Sequence, residues 1–207
     1  MTRRQTLHVV AIAGVVLAAA SFVFMFVAMP EVDFLRHPVS IYENKQPGFT
    51  GYIIATAGIA VSCTALALTT TGWPRLVLAT AALAFVVAAV FPTDPGTGVD
   101  TVAGYIHRYA SGTGFGLVII AGFLAFATTT GWRRPALLWL SVTNVVLMAL
   151  VVINTFFPTF ADGRDWRGLP QRLLLFTLAA VLVMLASNRA STAGSRRPRE
   201  ADAATRW

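Results

Sequence analysis

Two short polar segments stand out because each begins with Phe-Pro-Thr and ends with Gly-x-x-x-Arg. They are residues 91–108 and residues 157–172, and each lies between two apolar runs. Histidine, aspartate and arginine are concentrated in them. Histidine and aspartate are the usual side chains for proton transfer, and arginine binds phosphate. These segments therefore contain the residues best suited to a functional site.

One chemistry open to these residues is nucleophilic catalysis. A third polar segment contains His37-Pro-Val-Ser40, and the first segment contains Asp94 and His107. Serine, histidine and aspartate can act as nucleophile, base and orienting group. A structural alternative for Ser40 is that it caps a short helix with Glu43 at the third position, which is a capping box. We favour the capping role for Ser40 and keep the catalytic set as the alternative.

A second chemistry is phosphate recognition, because arginine can donate two parallel hydrogen bonds to a phosphate group. Four arginines are candidates for a phospholipid or polyprenyl-phosphate headgroup: Arg108, Arg164, Arg167 and Arg172. The alternative is that they pair with nearby aspartates and hold the loops together. Those aspartates are Asp94, Asp100, Asp162 and Asp165.

Metal binding is a third possibility, since two histidines and several aspartates lie in the polar segments. However, the histidines do not have the close spacing of a metal-binding helix or loop, and the ligands would come from separate segments. We predict neither a metal nor another cofactor.

The composition indicates a membrane protein. Hydrophobic residues make up 56% of the 207 residues and charged residues only 12%, whereas a soluble domain has about 25% charged residues. Mean hydropathy is +0.68. Six apolar runs have the length of a membrane-spanning helix: residues 7–29, 51–71, 73–91, 109–130, 136–157 and 170–187. The predicted fold is an all-α bundle of six transmembrane helices in up-down order.

We expect residues 1–188 to form this transmembrane domain and residues 189–207 to form a disordered, basic cytoplasmic tail. The orientation follows from the basic residues in short loops. Ten basic and two acidic residues lie on the side of both termini, against six basic and seven acidic residues on the other side. This predicts that both termini are cytoplasmic and that the three polar segments face outward. The same distribution argues against nucleic-acid binding.

Two patterns within the spans predict how the helices are arranged. The sequence Thr-Thr-Thr-Gly-Trp occurs at residues 69–73 and again at residues 128–132. Together with the paired polar segments it suggests a duplicated two-helix unit, although similar interfacial loops could arise independently. Gly112 and Gly116 predict a surface where two helices pack closely, and a buried amide such as Asn144 predicts a bridge between helices.

The chain also resembles a known family at residues 37–40, at residues 91–94 and at His107. These motifs resemble the bacterial six-span family called domain of unknown function 998. The resemblance implies a multi-pass integral membrane protein of the bacterial cell membrane, and the family has no established activity.

The leading functional hypothesis is a membrane protein whose extracytoplasmic polar cluster binds a lipid headgroup or a protein partner. Its expected partners are membrane lipids, with a membrane protein or a second copy of the chain as further candidates. The alternative is a hydrolase or lipid-modifying enzyme at the outer interface that uses Ser40, Asp94 and His107. A secondary transporter is disfavoured because ionisable residues are missing from the middle of the spans.

Overall fold

The computed structural model describes residues 1–95, 99–157 and 166–194, with residues 188–194 described by their backbone alone. Within these ranges the chain forms six long helices and one 3₁₀ helix, and no strand. The helices are α1 (Arg3–Ala28), α2 (Gly48–Thr69), α3 (Trp73–Val90), α4 (Val102–Thr128), α5 (Arg133–Phe156) and α6 (Gly168–Gly194), and the 3₁₀ helix is Val39–Asn44. Each long helix is apolar and long enough to cross a membrane. The predicted all-α, six-span fold is confirmed.

Two helix ends differ from the predicted spans. Helix α4 begins at Val102, several residues earlier than expected, because the Thr101 hydroxyl accepts a hydrogen bond from the Gly104 N–H at 3.0 Å and caps the helix. Both His107 and Arg108 therefore lie on a helix. Helix α6 continues to Gly194, beyond the predicted end of the domain at residue 188. Residues 195–207, which make up most of the predicted tail, lie outside the described part of the chain.

The turns that precede α3 and α5 have related backbone conformations. Gly72 and Gly131 both have positive φ, at 65° and 67°, which glycine adopts without steric cost. In each turn the glycine carbonyl accepts a hydrogen bond from the N–H three residues later. The matching sequences thus fold in a matching way. A duplication of the two-helix unit, and the cytoplasmic location of these turns, remain predictions.

Consecutive helices pack against each other, and α6 also packs against α1 and α4, which closes the bundle. Helices α1 and α2 approach each other closely. A Cβ atom added to Gly14 would lie 2.5 Å from the Gly58 carbonyl oxygen, and the reverse distance is also 2.5 Å. At Gly112 the nearest atom to an added Cβ is 3.7 Å away, and at Gly116 there is none within 4 Å. The prediction of close packing at Gly112 and Gly116 is therefore wrong, and α1 and α2 meet through a different glycine pair.

The predicted amide bridge is present between α5 and α6. The Asn144 side-chain oxygen accepts a hydrogen bond from the Thr177 hydroxyl at 2.7 Å, and its amide nitrogen donates to the Leu140 carbonyl at 2.8 Å. The amide oxygen and the amide nitrogen thereby each have a partner in an apolar surrounding, where an unpaired amide would be costly. Outward-facing side chains such as Leu17, Leu83 and Phe176 are at least half exposed, as expected for a surface covered by lipid.

Candidate functional site

Hydrogen bonds join the three polar segments at one end of the bundle. The Gln171 side-chain oxygen accepts from the Val39 N–H at 2.8 Å, which ties α6 to the loop between α1 and α2. The Glu43 carboxylate accepts from the Thr93 N–H at 3.1 Å, which ties the same loop to the one after α3. Up-down helix order brings these loops to one face, and the contacts show that they touch. We call this end of the bundle the loop face.

Arg172 holds the first loop against α6. Its Nη1 atom donates to the carbonyls of Phe34 at 2.8 Å, His37 at 2.7 Å and Gly168 at 3.2 Å, and its guanidinium stacks on the Phe34 ring at 4.6 Å. The side chain is buried. These contacts give Arg172 a structural role, because one guanidinium nitrogen serves three main-chain oxygens. Its predicted role in binding a lipid phosphate remains untested.

Ser40 does not form the expected capping box. The 3₁₀ helix begins at Val39, its N-cap is Pro38 and no side chain caps it. The Pro38 carbonyl accepts a hydrogen bond from the Ile41 N–H at 3.1 Å, so the helix begins ahead of Ser40. Glu43 instead turns inward to the Thr93 N–H. The prediction of a Ser40–Glu43 cap is wrong, and Ser40 lines a cavity.

The cavity lies inside the bundle at the loop face and has a volume of about 430 Å³. Each of the six helices contributes to its wall, as does the 3₁₀ helix. Five of the predicted site residues line it: Ser40, Asp94, His107, Arg108 and Arg167. Its deeper wall is apolar and includes Phe22, Phe85, Phe115, Met148 and Leu175. The cavity thus has a polar side and an apolar side, as is usual for the binding site of an organic ligand.

His107 is held in one ring orientation. Its Nδ1 atom lies 2.9 Å from the carbonyl oxygens of both Ala88 and Phe91, so the hydrogen-bond pattern places the proton on Nδ1. The Nε2 atom then carries the lone pair, and it lies 3.5 Å from the hydroxyl of Tyr52. Tyr52 also lines the cavity. A neutral His107 is therefore oriented as a proton acceptor on the cavity side of the ring.

Glu43 is the carboxylate nearest to His107, at 3.7 Å from Nδ1. It is only 6% exposed, and this burial raises the pKa of Glu43 to about 7 because the charged form loses its hydration. The single hydrogen bond from Thr93 offsets the burial only in part. Nothing in the sequence spacing links Glu43 or Tyr52 to His107. Tyr52 is also buried.

Asp94 binds the start of α4. Its carboxylate accepts from the Thr101 hydroxyl at 2.7 Å and from the N–H groups of Asp100 at 2.9 Å and Thr101 at 3.3 Å. These hydrogen bonds, led by the one from the Thr101 hydroxyl, lower the pKa of Asp94, and the charge of Arg108 acts in the same direction. A Cβ atom at Gly104 would collide with this carboxylate. Asp94 therefore closes the loop between α3 and α4, and its catalytic role stays a prediction.

The remaining predicted residues divide into three groups. Arg108 and Arg167 line the cavity, and the Arg108 guanidinium lies 6.0 Å from the centre of the Phe156 ring. His37 lies outside the cavity lining and its Nδ1 accepts from the Asp33 N–H at 3.0 Å. Arg164, together with Asp162 and Asp165, lies outside the described residues.

The structure is that of a multi-pass membrane protein. It has six apolar helices with exposed apolar side chains on the outer surface, and its polar loops are joined at one end. The family it belongs to is the one described as protein of unknown function (DUF998), whose sequence profile matches residues 12–188. The predicted resemblance is confirmed. Comparisons with curated proteins and with solved structures return no match.

Proposed function

We propose that the cavity binds an anionic amphiphile, such as a phospholipid or polyprenyl phosphate, with its headgroup at the loop face. The observation that carries this proposal is the mixed lining of the cavity: Arg108 and Arg167 line the same cavity as a set of large apolar side chains. Arginine is suited to a phosphate group and the apolar wall to a hydrocarbon chain.

The charge on the polar side of the cavity favours an anion. Asp94 also lines the cavity, but its carboxylate already accepts three hydrogen bonds from Asp100 and from Thr101, the cap residue of α4. The carboxyl group of Glu43, which lies 3.7 Å from the His107 ring, has a pKa of about 7 and is partly protonated at neutral pH. Among the described residues that line the cavity, two arginines stand against one ionised aspartate, so this part of the lining carries a net positive charge.

The test compares the lipids that co-purify with wild type and with Arg108→Gln and Arg167→Gln, measured by mass spectrometry. We expect each variant to lose one phosphate-bearing species by about tenfold or more, since a hydrogen bond to a charged group contributes about 1.5–3 kcal/mol. Arg36→Gln is the matched control, because Arg36 lies on the loop face outside the cavity and its side chain is 60% exposed. Equal lipid content in all four proteins would refute the proposal.

We also propose that the loop face is extracytoplasmic and that the membrane is the bacterial cell membrane, on the basis of the basic residues near both termini. Cys63, the single native cysteine, is buried, so one introduced thiol gives a clear signal. Lys45→Cys on the loop face should react with a membrane-impermeant reagent added to intact cells. Thr71→Cys at the opposite end should react only after lysis, and the reverse pattern would overturn the orientation.

A second candidate function is hydrolysis of a lipid ester, and the orientation of His107 is the observation that favours it. With the proton on Nδ1, Nε2 can accept a proton from a water molecule or from Ser40, which lines the same cavity. His107→Gln should then abolish release of free fatty acid or lysolipid from defined vesicles while the bound lipid is retained. If wild type releases no such product, the protein is a binder without this activity.

A further inference from the structure

A narrow apolar slot of about 160 Å³ lies between α1 and α6. Its walls include Ala18 and Ala19 on α1 and Ala179 on α6, whose small side chains leave space between the two helices. An apolar cavity of about 150 Å³ is large enough for a benzene-sized group. The slot can therefore hold a short length of hydrocarbon chain.

The slot adjoins the main cavity. Six side chains line both spaces: Phe22, Val39, Ile59, Phe85, Phe115 and Leu175. The two spaces are thus separated by no more than one layer of side chains. A ligand that places its headgroup in the cavity can extend its chain toward α1 and α6 where these shared side chains turn aside.

The other end of the slot faces the lipid-covered surface of the bundle. Val23, Phe26 and Phe176 line the slot and are 57%, 50% and 61% exposed. Toward the loop face the slot is bounded by Tyr42 and Arg172, which are buried and held in place by the contacts between the first loop and α6. The slot therefore runs from the cavity to the bilayer beneath a fixed polar rim.

We propose that this slot is a lateral opening that holds the hydrocarbon chain of the amphiphile whose headgroup binds in the cavity. The inference rests on the proposed function and adds the path by which the ligand enters from the bilayer. Lipid chains are as apolar as the slot, so burial in the slot adds little affinity by the hydrophobic effect. The headgroup determines how tightly the ligand binds, and the slot determines where its chain lies.

The position of the chain can be measured by photo-crosslinking. The protein is reconstituted into phosphatidylcholine vesicles that contain a small fraction of phosphatidic acid with a diazirine in the middle of one acyl chain. After irradiation, the labelled peptides are identified by mass spectrometry. The informative label is the part that disappears in Arg108→Gln, because this part depends on a bound headgroup and excludes lipid that merely surrounds the protein.

We expect this headgroup-dependent label on the α1 and α6 residues of the slot. Ala19→Phe should fill the slot and remove the label, whereas Ala20→Phe, the same change at an exposed neighbour on α1, should leave it unchanged. Ala179→Leu, a smaller change on the opposite wall, should also reduce the label. Thermal unfolding of each variant confirms that a loss of label is not a loss of fold.

Two other results would overturn the inference. The headgroup-dependent label could map to α4 and α5, where Val152 and Phe156 line the cavity and are partly exposed, or it could persist in both filling variants. Either result leaves the proposed function intact. If wild type and Arg108→Gln are labelled equally, the headgroup site itself is refuted and the lateral opening with it.

Discussion

Replacing Glu43 with glutamine is expected to stabilise the protein above neutral pH and to flatten its pH dependence. The Glu43 carboxyl group is 6% exposed and accepts one main-chain hydrogen bond, from Thr93 at 3.1 Å. The ionised form loses more hydration than this bond returns, so the pKa rises from 4.5 to about 7. Glutamine keeps an oxygen that can accept the Thr93 bond and carries no charge at any pH.

The direction of the pH effect follows from proton binding. Between pH 4.5 and about pH 7 the folded protein keeps the proton on Glu43, whereas the unfolded chain has released it. Stability therefore falls as pH rises through this window, and the loss is complete above the folded-state pKa. The difference between the unfolded-state and folded-state pKa values corresponds to a loss of about 3 kcal/mol in the free energy of unfolding. Glu43→Gln should avoid it, and the advantage of the variant should shrink as pH falls toward 4.5.

The assay is thermal unfolding of the purified protein from below pH 4.5 to above pH 7, with a direct titration of the buried carboxyl group by difference infrared spectroscopy. Two other titratable side chains face Glu43, His107 from α4 and Tyr52 from α2. The quantity to compare is therefore the difference between variant and wild type at each pH. Glu31→Gln, a change at an exposed glutamate of the same loop, is the matched control and should alter nothing.

One result would refute the reasoning. If Glu43→Gln is less stable than wild type above neutral pH, the folded protein stabilises the ionised carboxylate, as an ion pair with a protonated His107 across the 3.7 Å separation would do, and the pKa of Glu43 is not raised. The infrared signal of a protonated carboxyl group would then be missing at pH 6 in wild type, well inside the window in which Glu43 should keep its proton.

Three further predictions concern the bundle itself. Gly58→Leu should separate α1 from α2 and prevent stable folding, because its Cβ atom would lie 2.5 Å from a carbonyl oxygen, whereas Gly116→Ala has open space and should have no effect in the same thermal assay. Asn144→Ala should cost about 0.6–2 kcal/mol, and a double-mutant cycle with Thr177→Val should assign most of that cost to their hydrogen bond. Arg172→Gln should destabilise the protein by about 2 kcal/mol or more, since three main-chain oxygens lose their donor. It should also make the loop between α1 and α2 sensitive to protease. Full protease resistance of the variant would show that Arg172 does not hold this loop in place.

The sequence was sufficient to predict the number of spans and the segments that carry polar chemistry. The length of an apolar run and the chemistry of the residues between runs are local properties, and a bilayer fixes what an apolar run of that length becomes. The contents of the cavity were partly predictable for the same reason. Once helices alternate in direction, Ser40, Asp94 and His107 must come to the same end of the bundle.

Local patterns failed where a neighbouring element decided the outcome. Gly112 and Gly116 have the spacing of a packing surface, but a spacing does not identify the helix opposite. On α4, Gly116 faces open space and Gly112 meets only the end of the Met148 side chain. The residues Ser40 and Glu43 have the spacing of a capping box, but Pro38 starts the 3₁₀ helix earlier and Thr93 offers Glu43 a partner from a different loop.

The sequence by itself determined that this chain is a six-span membrane protein with its reactive side chains gathered in three polar segments. Only the tertiary structure decided that Glu43, Tyr52 and His107 form one buried cluster and that a cavity separates Arg108 from the apolar wall. Those contacts depend on how each helix is rotated about its axis and how deeply each loop inserts. Rotation and insertion are set by the packing of all six helices together, and no short segment contains that information.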